Sequence, residues 1–507
     1  MNTNSQESAH WTGTNTQPRI AIIGCGVSGI SAVVHLRKAG YTDITVFEKA
    51  GSVGGTWREN KYPGLSCDIA SYWYSFTFAP NSNWSHRYPL GPEIREYLES
   101  VAEDFGVNAI TRFNTEVTEL KYSAPVWHLQ TREGELSTFD IVISASGVLH
   151  HPKVPDIPGL DTFEGRWVHS TDWDDSLEID GANVAVIGTG STSAQIVGAL
   201  GERAQKLDVY QRTPQWMFPL FQHRYSSAWK WVMSNVPGMH KIMYWLHRQL
   251  LERTLGPATM GNDRWQHFFQ WMCTRQLHQT VKDPSLRAKL TPDYKATCKR
   301  LVICSSFFKS IIRDNVELVT EAIEGIEAQG VRTADGQLRK ADTLVLCTGF
   351  HTDRYLLPVD VTGVDGKTLA GQWAGAPRAH RATSVPSFPN LWFIQGPTGP
   401  VGNISLVAVS EVQIKFIIQC LDKMKKDNLA VMGSSAAAYQ HFNDELKRSV
   451  QKTTWATGGC QSWYIDGSGD PNLYSHPPRQ FYRDMKHPNF SEFIVESANL
   501  KNEVIAQ

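Results

Sequence analysis

Apolar residues come in short unbroken runs along most of the chain, and each run stops at or near a glycine. Ile20-Ala21-Ile22-Ile23 leads into Gly24, and Val184-Ala185-Val186-Ile187 into Gly188. Ile141-Val142-Ile143 and Leu344-Val345-Leu346 stop just short of Gly147 and Gly349. Runs of this length without polar alternation predict strands buried on both faces, as in a parallel sheet covered by helices. After the first two runs the spacing turns helical, as in Ile30 through Lys38 before Gly40. Strand and helix in alternation predict an α/β fold. Residues 216–296 break that rhythm: Trp229, Trp231 and Met233, then Ile242, Trp245 and Leu246, recur at helical spacing. Six of the 17 tryptophans lie between Trp216 and Trp271. The segment is expected to be a helical insertion with an ordinary core; a cap over an apolar substrate pocket is the sharper alternative.

The similar strands near 139–147 and 342–350, with Pro152, Pro155 and Pro158 stiffening the crossing between them, predict nested domains. The expected architecture is two Rossmann-like dinucleotide-binding domains, one inserted in the other. Residues 19–150 and 376–507 form the first, 151–215 and 297–375 the second, and 216–296 the helical insertion. Residues 1–18 are polar and are expected to be a disordered lead-in rather than a signal peptide.

The turns carry the chemistry. Gly24-Cys25-Gly26-Val27-Ser28-Gly29 joins a strand to a helix, and the next strand ends in Glu48. In such a unit the first glycine permits the tight turn, the second lets backbone approach a pyrophosphate, and the third lets helix and strand pack closely. The helix N-terminus offers unpaired N–H groups to phosphate, and Glu48 can accept ribose hydroxyls. A second glycine bend, Gly54-Gly55-Thr56-Trp57, follows so soon that the ligand must be larger than one adenosine. The mid-chain turn Gly188-Thr189-Gly190-Ser191-Thr192-Ser193 repeats the plan, with Ser193 in place of the third glycine. That side chain should loosen the turn a little. From Gly188 the matching step of 24 residues lands on Arg212, where the first unit has Glu48. A carboxylate favours a free ribose diol, whereas a guanidinium clamps a 2′-phosphate, so the second site is read as one for NADPH rather than NADH.

Composition narrows the alternatives. A net charge of −1 leaves no electrostatic footprint for nucleic acid. A mean hydropathy of −0.31 without an apolar run near twenty residues predicts no membrane span. The eight cysteines are scattered, without C-x-x-C or metal-ligand spacing. This argues against bound metal, a disulfide framework and a flavin disulfide reductase, and it suits a reduced cytosolic, hence cytoplasmic, setting.

Between the turns runs F-x-G-x-x-x-H-x-x-x-W-D, from Phe163 through Gly165, His169 and Trp173 to Asp174. This resembles the fingerprint of FAD- and NADPH-dependent Baeyer–Villiger monooxygenases, relatives of the flavin-containing monooxygenases. The likeness extends from Gly24 to about Tyr464. It implies FAD on the first turn, held by Gly24, Gly26, Ser28, Gly29, Glu48, Gly55, Thr56, Trp57, Asp68 and Tyr74. It implies NADPH on the second, held by Gly188 to Ser193, Gln195, Arg212, Thr213 and Lys299. Tyr62-Pro63-Gly64-Leu65-Ser66-Cys67-Asp68 and Cys298-Lys299-Arg300 are similar to family segments that place Asp68 and Arg300 beside the flavin, where both are the expected catalytic residues. The fingerprint residues, His169 and Trp173 included, are expected to form a hinge rather than the reacting centre. The implied reaction turns a small ketone, with O₂, into an ester or lactone through a C4a-peroxyflavin. Two alternatives stay open, a monooxygenase acting on sulfur or nitrogen and a non-oxygenating NADPH oxidase. His351, where many relatives have Asp, is a departure. The sequence leaves the ketone and the oligomeric state open.

Overall fold

A computed structural model describes residues 17–497. The expected lead-in therefore falls outside the described residues, except for its last two positions. In chain order the elements that frame the site begin with β1 (Ile20–Ile23), α1 (Val27–Lys38), β2 (Ile44–Phe47), β3 (Thr111–Arg112) and β4 (Ile141–Ser144). Next come β5 (Arg166–His169), β6 (Asn183–Ile187), α2 (Ser191–Leu200) and β7 (Lys206–Tyr210). The insertion contributes α3 (Ser227–Asn235), α4 (Met239–Arg253) and α5 (Asp263–Thr280). The chain closes the framework with β8 (Val316–Val319), β9 (Thr343–Leu346), β10 (Leu391–Phe393) and α6 (Leu406–Lys426).

Two five-stranded parallel sheets result. The first has the order β10–β4–β1–β2–β3 and the second β8–β7–β6–β9–β5. All four residues of β1, β4 and β9 are buried, as unbroken apolar runs require of strands covered on both faces. On the first sheet α1 buries Ile30, Val33, Val34 and Leu36 in a core shared with Ile414, Ile417 and Leu421 of α6. α2 covers the second sheet with Ile196, Val197 and Leu200. The α/β class with two Rossmann-like units therefore stands as read from the pattern.

The domain boundaries and the insertion differ from expectation. The strand Asp360–Thr362 pairs in parallel with Glu119–Lys121, and Tyr355, Leu356, Leu369 and Trp373 share a core with Phe47, Phe139 and Phe393. The chain thus returns to the first unit near residue 350, not 376. One antiparallel bridge, Pro152 to Phe350, joins the units there: the His351 N–H donates to the His151 carbonyl and the Lys153 N–H to the Gly349 carbonyl, both at 2.9 Å. The insertion straddles both units. Met233 and its neighbours Trp229, Met243 and Tyr244 pack on the first core, Leu277 on the second, and Trp216, Phe269, Cys273 and Tyr294 make a small core of their own. Trp231, Trp245 and Trp271 are 63%, 53% and 51% exposed, so half of the insertion's tryptophans are surface rather than core.

The cysteines bring a correction. Cys298 and Cys460, 162 residues apart, form a disulfide, while the other six are free and buried. One cross-link is not a framework, but it departs from the fully reduced chain expected from the scattered spacing. Among the described residues no His/Cys/Asp/Glu group could hold a metal ion, and no helix is long and apolar enough to cross a membrane.

Candidate active site

The first turn is closed by contact, not merely by conformation. Gly24 has a φ of +100°, and a Cβ there would stand 2.8 Å from the Ala145 carbonyl oxygen at the end of β4. A Cβ on Gly29 would stand 2.1 Å from the Gly24 oxygen. Gly26 and Gly55 meet back to back, and the Gly54 N–H donates to the Cys25 carbonyl at 3.0 Å. The two glycine bends thus form one cradle of bare backbone, with no acid in the first turn of α1. Such a cradle fits the pyrophosphate of a dinucleotide. The Glu48 carboxylate, 4% exposed, accepts from the N–H groups of Cys25 (2.8 Å) and Ala50 (3.0 Å) and pairs with Arg58 at 3.2 Å. A carboxylate has about four acceptor sites, so a ribose diol can claim both oxygens only as Arg58 yields. Arg58 had no sequence signal beyond following the second glycine bend. The Ser28 hydroxyl meets Ser410 of α6 at 3.0 Å, which leaves only its backbone amide for a ligand. Trp57 donates to the buried Tyr74 hydroxyl at 2.9 Å, bracing the wall beyond the cradle, and Thr56 lies exposed beside it.

The second turn copies the plan. A Cβ on Gly188 (φ +121°) would stand 2.4 Å from the Cys347 oxygen at the end of β9. Ser193 is accommodated because its hydroxyl donates to the Gly188 carbonyl at 2.6 Å. Gly190 caps α2, Ser191 and Thr192 open it half-buried, and Thr189 donates to the Thr213 carbonyl at 2.9 Å. Tyr62 of the first unit donates to Gln195 at 3.1 Å, and Gln195 donates on to the Ser66 carbonyl at 3.0 Å, joining the units at the mouth of the site. Arg212 is exposed and faces Lys299, whose ammonium lies 4.8 Å from the Tyr294 ring. The Lys299 pKa is lowered, by burial first and by the Arg212 charge second. Two cations that act on each other's charge fit a doubly charged phosphate, which relieves their repulsion.

Arg300 crosses between the units to meet Asp68. Its Nε and Nη2 donate to the same Asp68 oxygen at 3.0 and 2.5 Å. The Arg300 side chain is 37% accessible and that of Asp68 19%, so the pair is partly open to a ligand. The Asp68 carboxylate raises the guanidinium pKa further above the ordinary arginine value, so its charge is permanent. The Tyr464 hydroxyl lies on the same side of Gly402 as the guanidinium: a Cβ there would stand 3.0 Å from the hydroxyl and 3.7 Å from Arg300 Nη1. Sequence reasoning reached Asp68 and Arg300 but not Tyr464, which stood only at the end of the matched region.

The fingerprint lies apart from that pair. Gly165 abuts the Phe163 ring and the Asp342 carbonyl, Trp173 is buried in the second core, and Asp174 sits on the surface paired with Arg166. His169, fully buried at the end of β5, contacts the Gly349 carbonyl through Nε2 at 3.1 Å and the Phe350 ring edge-on at 5.9 Å. Gly349 and Phe350 belong to the return crossing, so His169 braces the strand pair that joins the units.

Comparison with known proteins agrees with this anatomy. The family model described as flavin-binding monooxygenase-like matches residues 17–368. The chain belongs to this family. The flavin-binding monooxygenase-like chain is 37% identical to a Streptomyces coelicolor Baeyer-Villiger monooxygenase over 486 residues, covering 94% of this chain and 92% of the relative. A Pseudomonas aeruginosa Baeyer-Villiger monooxygenase is 35% identical, covering 88% and 85%. Among solved structures, cyclohexanone monooxygenase from Rhodococcus sp. Phi1 bound to NADP+ superposes with a TM-score of 0.84 at 26% identity, covering 95% of this chain and 99% of that one. Steroid monooxygenase bound to NADP gives 0.84 at 26%, covering 95% and 100%.

Proposed function

We propose that this protein is an FAD-containing, NADPH- and O₂-dependent Baeyer–Villiger monooxygenase that converts small ketones to esters or lactones. The observation that carries the reading is the Arg300–Asp68 pair, which spans two dinucleotide cradles of opposite terminal charge. The cradle Gly24–Gly29 with Gly55 would hold FAD, and Gly188–Ser193 with Arg212, Thr213 and Lys299 would hold NADPH. When bound, FAD takes hydride from NADPH and activates O₂, chemistry that no side chain supplies.

The residues do the rest. Adding oxygen to a ketone carbonyl places negative charge on the former carbonyl oxygen. Arg300, permanently cationic and held by Asp68, can receive that charge. Asp68 aims the guanidinium and neutralises it while the site is empty. Tyr62, Gln195 and Ser66, by joining the units at the mouth, would help exclude the water that diverts activated oxygen to H₂O₂. His169 holds the crossing between the units and is given no part in proton transfer, because it is fully buried with Nδ1 on Thr171 and Nε2 on the Gly349 carbonyl. The absence of a membrane-spanning helix among the described residues is compatible with a cytoplasmic location, which belongs to this proposal.

The test is a panel of small ketones and one thioether with NADPH, scored by mass for the gain of one oxygen. Ketones should gain it, and Arg300→Ala should keep its yellow flavin while losing at least about 100-fold in product formation. Oxygen on the thioether alone, or H₂O₂ accounting for all NADPH consumed with every substrate, would move the protein to one of the other two activities.

A further inference from the structure

Arg300 is reached from its second side by a segment far away in sequence. Residues 295–300 and 455–464 lie beside each other and meet at four places. The Lys295 N–H donates to the Gly458 carbonyl at 2.9 Å. The Cys298 sulfur lies 3.8 Å from the Trp455 carbonyl. Cys298 is bonded to Cys460. Beyond these, Tyr464 faces Arg300. The covalent link thus lies two residues before Arg300 in one segment and four before Tyr464 in the other. Immediately upstream, Thr297 has a φ of +68°, a conformation that β-branched residues rarely adopt and that persists only where the surroundings enforce it.

The Tyr464 ring is 3% exposed, packed at 5.2 Å against Trp455 and 5.0 Å against Trp463. Its position is therefore set by the segment that Cys460 anchors. A Cβ on Gly402 would lie 3.0 Å from the Tyr464 hydroxyl and 3.7 Å from Arg300 Nη1, so the two groups share one small space beside a glycine. We propose that Tyr464 is a positioning residue for Arg300, completing an Asp68–Arg300–Tyr464 chain, and that the Cys298–Cys460 disulfide holds Tyr464 in that place. The logic is one of degrees of freedom. Both Asp68 bonds converge on a single carboxylate oxygen, so the planar guanidinium can pivot about that oxygen and carry Nη1 with it. A phenol on the other side removes that pivot, and burial pushes its pKa up to about 12, so it stays neutral and leaves the guanidinium charge to the substrate. The inference rests on Arg300 acting on the substrate, as proposed above.

The test has a chemical, a structural and a kinetic arm on the full-length holoenzyme. Alkylation of the denatured, unreduced chain should place label on six cysteines, with Cys298 and Cys460 joining only after dithiothreitol; label on all eight without reductant would overturn the tether. In native protein, reduction should speed proteolysis within residues 455–470 by about tenfold, as expected when a local opening loses its anchor. An unchanged rate would also overturn it. Tyr464→Phe keeps the ring packing and removes only the hydroxyl. It should lower the kcat for oxygenation, and product formed per NADPH, by about tenfold, with flavin content and the ketone KM nearly unchanged. Reduction should lower the same yield of the wild type by about threefold, and lower it no further in Tyr464→Phe, because two changes acting through one contact do not add. Cys298→Ala with Cys460→Ala should behave like reduced wild type and ignore dithiothreitol. A Tyr464→Phe enzyme with wild-type yield, beside an inactive Arg300→Ala, would overturn this inference alone. A normal Arg300→Ala enzyme would overturn the reading of the site, and the inference with it.

Discussion

The two nucleotide turns share one backbone plan and differ in how tightly they close. In the first, helix α1 lies so near the turn that a Cβ at Gly29 would stand 2.1 Å from the Gly24 oxygen. In the second, Ser193 occupies the matching place and ties its hydroxyl to the Gly188 oxygen at 2.6 Å. Their second strands lead to opposite charges: Glu48 is buried and already paired with backbone amides and Arg58, while Arg212 stands exposed beside Lys299. The first turn is thus a finished cradle suited to a ligand that stays. The second has room for a side chain at its third position and carries two cations that repel each other, suited to a ligand that comes and goes with charge as its handle.

Transplanting the third-position residue should give the largest effect. Gly29→Ser would push α1 off its turn, since the atom it meets is backbone and cannot step aside. The protein should purify without flavin, or with FAD affinity at least about 100-fold weaker, as read by absorbance of the bound fraction. The reverse change, Ser193→Gly, removes one hydrogen bond and adds backbone freedom. It should cost about 1–2 kcal/mol in stability and alter the NADPH KM by no more than a few-fold. Equal effects from the two substitutions would mean that the difference in closeness carries no function.

Exchanging the charges comes next. Arg212→Glu places the first unit's acid in the second and should raise the NADPH KM by about 100-fold, with the NADH KM little changed or improved. Arg212→Ala and Lys299→Ala should fall between, at about tenfold each. Parallel loss with both nucleotides would show that Arg212 supports the fold of the loop and does not read the 2′-phosphate.

The comparison also shows what the sequence could and could not disclose. The cradles were legible because short-range rules govern them: an apolar run, a glycine at each close approach, and a fixed offset to the residue at the end of the next strand. Asp68 and Arg300 were legible only through family resemblance, since neither loop has periodicity, and their meeting across 232 residues is a property of how the units dock. The return near residue 350 escaped notice because Asp360–Thr362 is only three residues long and its pairing with Glu119–Lys121 is long-range. The disulfide escaped for the same reason, as two cysteines 162 residues apart carry no spacing signal. Ser193 was expected to loosen its turn by bulk alone, and the hydrogen bond that compensates is visible only in three dimensions.

The smallest expected effect concerns what keeps the two units in register. His169 is fully buried against Gly349 in the return crossing, and burial lowers its pKa below the ordinary 6.5. In the unfolded chain the imidazole takes a proton as pH falls below that value, while in the folded protein it resists. The unfolded state therefore binds more protons, and stability is lost as pH drops below about 6.5, whereas above it His169 contributes no pH dependence. His150, His151 and His380 are shifted the same way, so the total slope is shared and His169 must be isolated by difference. His169→Gln keeps an amide able to donate to Gly349 but removes the titration. Between about pH 7 and about pH 5.5 its Tm should fall by about 1–2 °C less than that of the wild type. Flavin content and the relative effects of Gly29→Ser and Ser193→Gly should be unchanged, because His169 meets the Gly349 carbonyl and touches neither glycine turn. If His169→Gln instead lost activity in proportion to flavin, the crossing would be part of the first cradle's support, and the contrast between a fixed and an exchanging site would have to be redrawn around the joint that connects them.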